Sequence, residues 1–308
     1  MVFLDFFISL RFGKKWCKIE ISTKNNAILQ RGITMYSRVY VEITNICNMN
    51  CSFCHGHSRG LKRMNRAEFS GILEQLSGRT EYLYFHLMGE PLTHPELPEF
   101  LELAKQRGFR TMITTNGTLL KKRGEELIAA GVHKVSISVH SFERSDETAH
   151  RRYVQELAEF ADAAAAAGVI VCLRLWNKGF DEGRNDKTVE YLQDSFPEAW
   201  TENTRGYRIR DRLFLEWGDR FDWPDLNAPD LGDSVTCHGL RDQFGILCDG
   251  TVVPCCLDSE GAIPLGNIFE QDLSEILSSD RARAMVHGFS CRKATEQLCR
   301  RCGYARRF

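Results

Sequence analysis

Between residues 37 and 218 the sequence repeats one cycle of apolar strand, loop, amphipathic helix and glycine, and this repeat constrains the fold more than any other feature. Such a cycle is typical of a parallel α/β sheet. The predicted strands are Arg38–Thr44, Tyr82–Met88, Arg110–Thr115, Lys134–His140, Ile170–Leu175 and Leu213–Trp217. Because they fall short of the eight of a closed barrel, we predict an α/β fold with an open, partial (β/α)6 TIM-like barrel and a site at the carboxyl ends of its strands.

The helices between these strands are predicted from apolar residues at positions i, i+3, i+4 and i+7, a spacing that places them on one face. The clearest stripes are Phe69, Ile72, Leu73 and Leu76, and Leu97, Phe100, Leu101 and Ala104. A glycine also follows several helical segments just before a strand, where a left-handed cap suits a residue without a side chain. These glycines are Gly108, Gly131 and Gly168.

The composition changes after the last of these strands. Residues 225–235 (DLNAPDLGDSV) are rich in Asp, Pro, Gly and Asn, which indicates a linker. Beyond it, Phe244–Cys248 and Thr251–Val253 flank an Asp-Gly dipeptide and predict a β-hairpin, and Asp272–Ser278 predicts a short helix. We therefore predict an N-terminal extension over residues 1–35, a barrel over 36–224 and a small second domain over 225–308.

The first ten residues (MVFLDFFISL) are apolar, but Asp5 interrupts them, and they have neither a positive n-region nor a cleavage site. They are also too short to span a bilayer. A terminal helix, or translation upstream of a start at Met35, is favoured over an interfacial anchor. We expect a cytoplasmic protein without a transmembrane span.

Composition and charge limit the classes of function. Of the 308 residues, 43% are hydrophobic and 26% are charged, which is enough to bury one large core. The net charge of −1 creates no global basic field, so we expect no nucleic-acid partner. Twelve cysteines without an export signal argue against a disulfide framework. Since most of them fall into two groups far apart in the chain, they indicate two metal sites.

The first cysteine group follows directly on the first predicted strand. Cys47, Cys51 and Cys54 form the pattern C-x3-C-x2-C. Three thiolates can hold a cubane iron–sulfur cluster by three of its four irons, which leaves one iron open. The same triplet could instead be half of a zinc site.

This segment resembles the signature of the radical S-adenosylmethionine (radical SAM) superfamily, including the aromatic Phe53 before the last cysteine. The resemblance implies a [4Fe–4S] cluster whose open iron binds the amino and carboxylate groups of S-adenosylmethionine. In that family an electron from the cluster cleaves the sulfonium, and the resulting 5′-deoxyadenosyl radical abstracts hydrogen from the substrate. The resemblance also implies an electron donor such as flavodoxin or ferredoxin.

Further segments match the same family at the ends of predicted strands. Gly89-Glu90-Pro91 resembles its glycine-glutamate motif, in which backbone and carboxylate hold the methionine amino group, although Met88 stands where a second glycine is more common. Asn116 matches an asparagine-glycine turn that lines the cofactor, but it could equally satisfy its own turn backbone. Ser138 matches a serine that binds the cofactor ribose.

Arg174 interrupts the apolar fifth strand, and a guanidinium among barrel strands needs an anionic partner. That partner is either the carboxylate of the cofactor or substrate, or a side chain in a structural ion pair. Trp217, Trp223 and residues 218–230 are candidates for the substrate side, although core packing explains these tryptophans equally well.

In the second cysteine group, Cys237 is followed by twelve residues, a glycine, four residues and Cys255, and the chain later contains Cys299-x2-Cys302. This spacing resembles the auxiliary-cluster domains of the same superfamily, called SPASM and, in their shortened form, twitch. The resemblance implies one auxiliary [4Fe–4S] cluster held by these four thiolates, which leave no open iron. A zinc ribbon has similar spacing.

The choice of auxiliary ligands leaves two points open. Cys256 adjoins Cys255 and would point the opposite way on a strand, so only one of the two is expected to bind the cluster. Cys291 is a fallback ligand.

The resemblance covers most of residues 36–302 and implies an enzyme that abstracts hydrogen from a peptide or small metabolite, including oxidations that use the auxiliary cluster. The residues before the first strand are too few for the leader-binding domain of many peptide-modifying relatives, which makes a peptide substrate less favoured than a small metabolite. The alternatives are a non-catalytic protein that holds zinc or a structural cluster, and a degenerate relative that keeps its clusters but cannot cleave the cofactor.

Overall fold

A computed structural model describes residues 7–12, 15–20, 35–142 and 146–307. The strands are β1 (Phe7–Phe12), β2 (Lys15–Glu20), β3 (Arg38–Val41), β4 (Tyr82–Phe85), β5 (Arg110–Thr115), β6 (Lys134–Ser138), β7 (Ile170–Lys178), β8 (Thr201–Asn203), β9 (Gly206–Arg210), β10 (Leu213–Asp219), β11 (Gln243–Ile246), β12 (Thr251–Val253) and β13 (Gly266–Asn267). The helices are α1 (Arg66–Leu76), α2 (Leu97–Gln106), α3 (Leu120–Ala129), α4 (Glu147–Ala166), α5 (Arg184–Ser195), α6 (Leu273–Leu277), α7 (Asp280–Ser290) and α8 (Gln297–Arg300).

One large sheet contains every strand from β3 onward, in the order β13-β12-β11-β3-β4-β5-β6-β7-β10-β9-β8. The strands predicted for the barrel are its centre, β3 to β7 and β10, and each is parallel to the next. Within the described residues, β8 and β13 at the two ends do not pair with each other, so the barrel is open. The predicted α/β partial barrel is confirmed.

The helices form where caps and apolar stripes predict them. Asn65 begins α1 with a capping box, because its Oδ1 accepts from the Glu68 N–H at 3.0 Å and Glu68 Oε2 accepts from the Asn65 N–H at 2.7 Å. Both predicted stripes are buried in the hydrophobic core that the strands share. The predicted glycine caps are left-handed, with φ of 85° at Gly108, 79° at Gly131 and 88° at Gly168.

The second domain continues the barrel sheet. The predicted hairpin is present as β11 and β12, and the predicted short helix is α6. β11 also lies parallel to β3, in a pairing that the sequence did not predict. Carboxyl ends of parallel strands meet at one edge of a sheet, so the loops that follow β3 and β11 are neighbours. The domain limits at residues 36 and 225 stay a prediction.

The predicted terminal helix is wrong for residues 7–10, which belong to β1. Strands β1 and β2 form an antiparallel pair. Both contain aromatic and β-branched residues (FISLRF and KWCKIE), which favour strands, and a helix of so few residues is marginal in water. The rest of the extension, residues 1–6 and 21–34, lies outside the described residues. None of the helices in the described ranges has the length and apolar character needed to cross a membrane.

Candidate active site

A cavity of about 780 Å³ opens at the carboxyl ends of the barrel strands. Most of the residues predicted to bind the first cluster and the cofactor line it, namely Cys47, Cys51, Phe53, Cys54, Gly89, Glu90, Asn116 and Ser138. Pro91 is not part of this lining, because it is buried as the first residue of a short 3-10 helix, Pro91–Thr93. The fold therefore gathers residues from four separate strand ends at one site.

The three cysteines lie on the segment after β3, residues 45–60, which we call the cluster loop. Cys47 and Cys54 are exposed and Cys51 is half-buried. The Met49 N–H donates to Cys47 Sγ at 3.4 Å. Burial raises the pKa of the Cys47 thiol, the Met49 N–H lowers it, and the charges of Glu90 and Cys54 raise it. These electrostatic neighbours show that the thiols and the Glu90 carboxylate share one site.

Glu90 is a carboxylate buried to 2% exposure. Its oxygens accept from the Leu92 N–H at 3.0 Å and the Asn116 N–H at 2.7 Å. Burial raises its pKa to about 7, although both N–H groups lower it, and no lysine or arginine of the described chain contributes to the shift. A buried carboxylate that has no lysine or arginine partner among the described residues suits the amino group of a ligand as hydrogen-bond donor. The site thus fits the amino group of S-adenosylmethionine.

Gly89 lets the loop after β4 approach the start of the cluster loop. Its φ is +75°, and an added Cβ would lie 2.4 Å from the Thr44 carbonyl oxygen and 2.8 Å from Asn45 Cα. Any other residue would clash with this backbone and strain its own. Met88, the departure from the family pattern, is buried beside it and leaves this approach intact.

Asn116 connects the cluster loop to the end of β5. Its Nδ2 donates to Asn48 Oδ1 at 2.9 Å, and its Oδ1 accepts from the Thr118 N–H at 3.0 Å. The side chain therefore satisfies its own turn, which was one of the two alternatives, and it also lines the cavity. The Tyr153 hydroxyl donates to the Asn116 carbonyl oxygen at 2.7 Å. Tyr153 was not predicted, since nothing in its helical stripe separates it from an ordinary core residue.

The remaining lining is aromatic and cationic. Arg174 Nε lies 4.0 Å from Glu216 Oε2, and its guanidinium lies 4.7 Å from the centre of the Trp176 ring. Arg174 Nε is buried and forms no hydrogen bond with the described residues, so the ion pair satisfies it only in part. Trp223 lines the cavity, whereas Trp217 packs against the core. Of the substrate-side candidates, Trp223 has the better position.

The four auxiliary cysteines come together from three segments of the second domain. Burial raises the pKa of Cys255, and Cys256, Cys237 and Cys299 raise it further. Burial also raises the pKa of Cys299, and the charges of Cys237 and Cys302 raise it further. Clustered thiols suit a group that displaces their protons, which is true of iron–sulfur clusters and zinc alike. In the described ranges no three Cys, His, Asp or Glu side chains converge on a point suited to a single ion.

The auxiliary site borders the main cavity through Cys256. This residue lines the cavity, whereas the adjacent Cys255 faces the other auxiliary thiols. Burial raises the pKa of Cys256 to about 11, and the charge of Cys302 also raises it. Cys255 is influenced by two other auxiliary thiols, Cys237 and Cys299, and the choice between Cys255 and Cys256 as the cluster ligand stays a prediction.

Two family models match the chain. The model of the radical SAM superfamily matches residues 41–186, and that of the SPASM iron–sulfur cluster-binding domain matches residues 237–303. Among curated relatives, GTP 3′,8-cyclase of Chlorobaculum tepidum is 31% identical over 37% of this chain and 36% of its own length. AdoMet-dependent heme synthase of Methanosarcina barkeri is 32% identical over 32% of this chain and 29% of its own length. The chain thus spans about a third of each of these relatives.

Solved structures share the fold over most of the chain. The structure of BtrN with AdoMet and 2-DOIA has a TM-score of 0.60 and 20% identity, and covers 88% of this chain and 94% of its own. Streptococcus suis SuiB with S-adenosylmethionine has a TM-score of 0.58 and 14% identity, and covers 90% of this chain and 72% of its own. The two matched family models give the cofactors as S-adenosylmethionine, a [4Fe–4S] cluster and an auxiliary iron–sulfur cluster. The chain belongs to the radical SAM superfamily of enzymes and carries a SPASM iron–sulfur domain.

Proposed function

We propose that the chain is an enzyme that reductively cleaves S-adenosylmethionine and abstracts hydrogen from a peptide or small metabolite. One observation carries the proposal: the cluster cysteines, the buried Glu90 and the border of the auxiliary site all meet at a single cavity. Its volume suits a ligand of cofactor size together with a small substrate or a peptide side chain.

Different residues of the chain would bind the cluster and the separate parts of the cofactor. Cys47, Cys51 and Cys54 would hold the [4Fe–4S] cluster, and Glu90 would accept hydrogen bonds from the methionine amino group. Ser138 at the end of β6 offers a hydroxyl for the ribose. When bound, the cluster and S-adenosylmethionine supply the 5′-deoxyadenosyl radical chemistry. The low-dielectric cavity strengthens the charged contact to Glu90, which fixes the cofactor in one orientation.

Cys237, Cys255, Cys299 and Cys302 would hold the auxiliary cluster. Because this site borders the cavity, an auxiliary cluster held there would supply an acceptor for a substrate electron, which supports an oxidative reaction. Among the structural neighbours, one is solved with the small molecule 2-DOIA and SuiB is solved with its precursor peptide SuiA, so the comparison supports both substrate classes. An external donor such as flavodoxin or ferredoxin would supply the first electron.

Anaerobic reconstitution tests this proposal. We expect about eight iron and eight sulfide per chain, little zinc, and 5′-deoxyadenosine on addition of dithionite and S-adenosylmethionine. Stoichiometric zinc would support the non-catalytic alternative, and full clusters without 5′-deoxyadenosine would support the degenerate one. Transfer of deuterium into 5′-deoxyadenosine from the metabolite or the peptide fraction of a deuterated cell extract would identify the substrate class.

The pKa of Glu90 predicts how cofactor affinity depends on pH. The ionised carboxylate accepts hydrogen bonds from the amino group more strongly than the protonated carboxyl does, and burial raises the pKa of this group to about 7. The half-saturating concentration of S-adenosylmethionine should therefore fall about fivefold between pH 6 and pH 7 and about twofold more up to pH 8, and level off above. A titration at constant ionic strength measures this, and Glu90→Gln should remove the dependence. A flat profile in the unaltered protein would contradict the role of Glu90.

The same shift predicts how the stability of the ligand-free protein depends on pH. The pKa of Glu90 in the folded protein, about 7, lies above the ordinary carboxyl value of 4.5. Between these values the folded protein binds more protons than the unfolded chain, so this carboxyl makes the free energy of unfolding fall as pH rises.

Removal of one auxiliary ligand should separate the two clusters. We expect Cys299→Ala to lower the iron content from about eight to about four per chain and to leave uncoupled cleavage of S-adenosylmethionine within about threefold. Cys291→Ala is the control and should leave the iron content unchanged, since Cys291 is not among the thiols that raise the pKa of Cys255 and Cys299. Loss of iron in the control would make Cys291 a ligand after all.

A further inference from the structure

Glu42, directly after β3, is a completely buried carboxylate at 0% exposure. Its Oε2 accepts from Arg59 Nη2 at 2.8 Å and from the Met88 N–H at 3.1 Å. Its Oε1 accepts from the Cys248 N–H at 3.2 Å. One side chain thus joins the end of the cluster loop, the loop that carries Gly89 and Glu90, and the hairpin of the second domain.

Arg59 extends these contacts further into the second domain. Its Nε donates to the Ser259 carbonyl oxygen at 2.8 Å, and its side chain is 12% exposed. The neighbouring Ser58 donates to Glu260 from its N–H at 2.7 Å and from its hydroxyl at 2.8 Å. The end of the cluster loop is therefore fixed to the second domain on one side and to Glu42 on the other.

We propose that Glu42 and Arg59 are positioning residues that hold the cluster loop, the Glu90 loop and the second domain in one register. Neither residue lines the cavity. They act through residues that line the cavity. Met88, which donates to Glu42, is two residues from Glu90, and the neighbouring Gly89 lies close to Asn45 at the start of the cluster loop. The inference deepens the proposed function and rests on it.

A charged pair suits this task better than apolar packing. Its hydrogen bonds fix direction as well as distance, and removal of one partner leaves a buried charge that forces the segments apart. The Glu42 carboxylate also has enough lone pairs to accept three donors from three segments, which a neutral amide oxygen cannot do. The pair thus couples the fold of the second domain to the geometry of the cofactor site.

Glu42→Gln tests the inference in the reconstituted holoprotein. The readout is the electron paramagnetic resonance spectrum of the reduced cluster during titration with S-adenosylmethionine. We expect full iron content and a half-saturating concentration raised at least about tenfold. Glu156→Gln is the matched control, since Glu156 pairs with Lys121 at 2.8 Å on the surface of α4. This variant should have the same half-saturating concentration of S-adenosylmethionine as the unaltered protein.

Arg59→Lys serves as a second variant if Glu42→Gln does not fold. Lysine keeps the charge but has one nitrogen, which cannot reach Glu42 and Ser259 together. We therefore expect the half-saturating concentration of S-adenosylmethionine to rise at least about threefold, roughly half of the effect of Glu42→Gln in free energy. A titration within twofold of the unaltered protein at full iron content overturns the inference. Iron loss in parallel with the loss of binding also overturns it, because the pair would then only support the fold. If the unaltered protein itself shows no response to S-adenosylmethionine, the proposed function fails instead.

Discussion

Cys51→Ala should reduce the formation of 5′-deoxyadenosine to background, at least about a thousandfold below the unaltered protein. The variant keeps only two of the three thiolates, and two thiolates cannot hold a cubane cluster. Neither the cluster nor its open iron would therefore be present. The measurement is chromatography of anaerobic reactions with dithionite and S-adenosylmethionine.

Cys291→Ala is the control for this variant as well, because it removes one exposed thiol that does not line the cavity. It should keep full 5′-deoxyadenosine formation. Activity in Cys51→Ala above a few percent of the unaltered protein would show that another side chain replaces the thiolate, and the assignment of the triplet would then be wrong.

Glu90→Gln should weaken S-adenosylmethionine binding by about ten- to a hundredfold while the iron content stays unchanged. The charge-assisted hydrogen bond from the amino group to the carboxylate is worth roughly 1.5–3 kcal/mol, and each 1.4 kcal/mol is about a factor of ten in affinity. Isothermal titration calorimetry under anaerobic conditions measures the effect.

The same charge change on the surface, Glu156→Gln, separates this effect from a general change in charge. Thermal unfolding of the ligand-free protein should show that Glu90→Gln still folds, because a neutral side chain there removes the cost of burying a charge. Unchanged affinity in Glu90→Gln would show that the amino group does not bind Glu90 and would remove the main support for the cofactor's orientation.

Much of the fold follows from local patterns. The barrel strands, the stripe from Phe69 to Leu76 and the cap at Gly108 rest on residues close in sequence, and all are present. Strands β8 and β9, at one end of the sheet, were missed because their segment, TENTRGYRIR, is mostly polar and shows no apolar run, although Ile209 is buried. The pairing of β11 with β3 joins residues two hundred positions apart, and no local pattern encodes such a contact.

In the candidate site, too, some residues could be predicted from local patterns and others could not. The cluster cysteines, Glu90 and Ser138 could be found because they belong to short motifs at strand ends. Glu42 was missed, although it interrupts an apolar strand segment (RVYVEIT) just as Arg174 interrupts another. A buried charge shows in the sequence, but its partners Arg59 and Cys248 appear only when the chain is folded.

The most direct test of the central claim is electron–nuclear double resonance of the reduced cluster with S-adenosylmethionine labelled at its amino nitrogen and carboxylate oxygens. We predict that both labels couple to the cluster in the unaltered protein and that Cys51→Ala shows neither coupling. A full cluster that shows no coupling to either label would contradict an open iron as the binding site, and with it the radical chemistry proposed for this cavity.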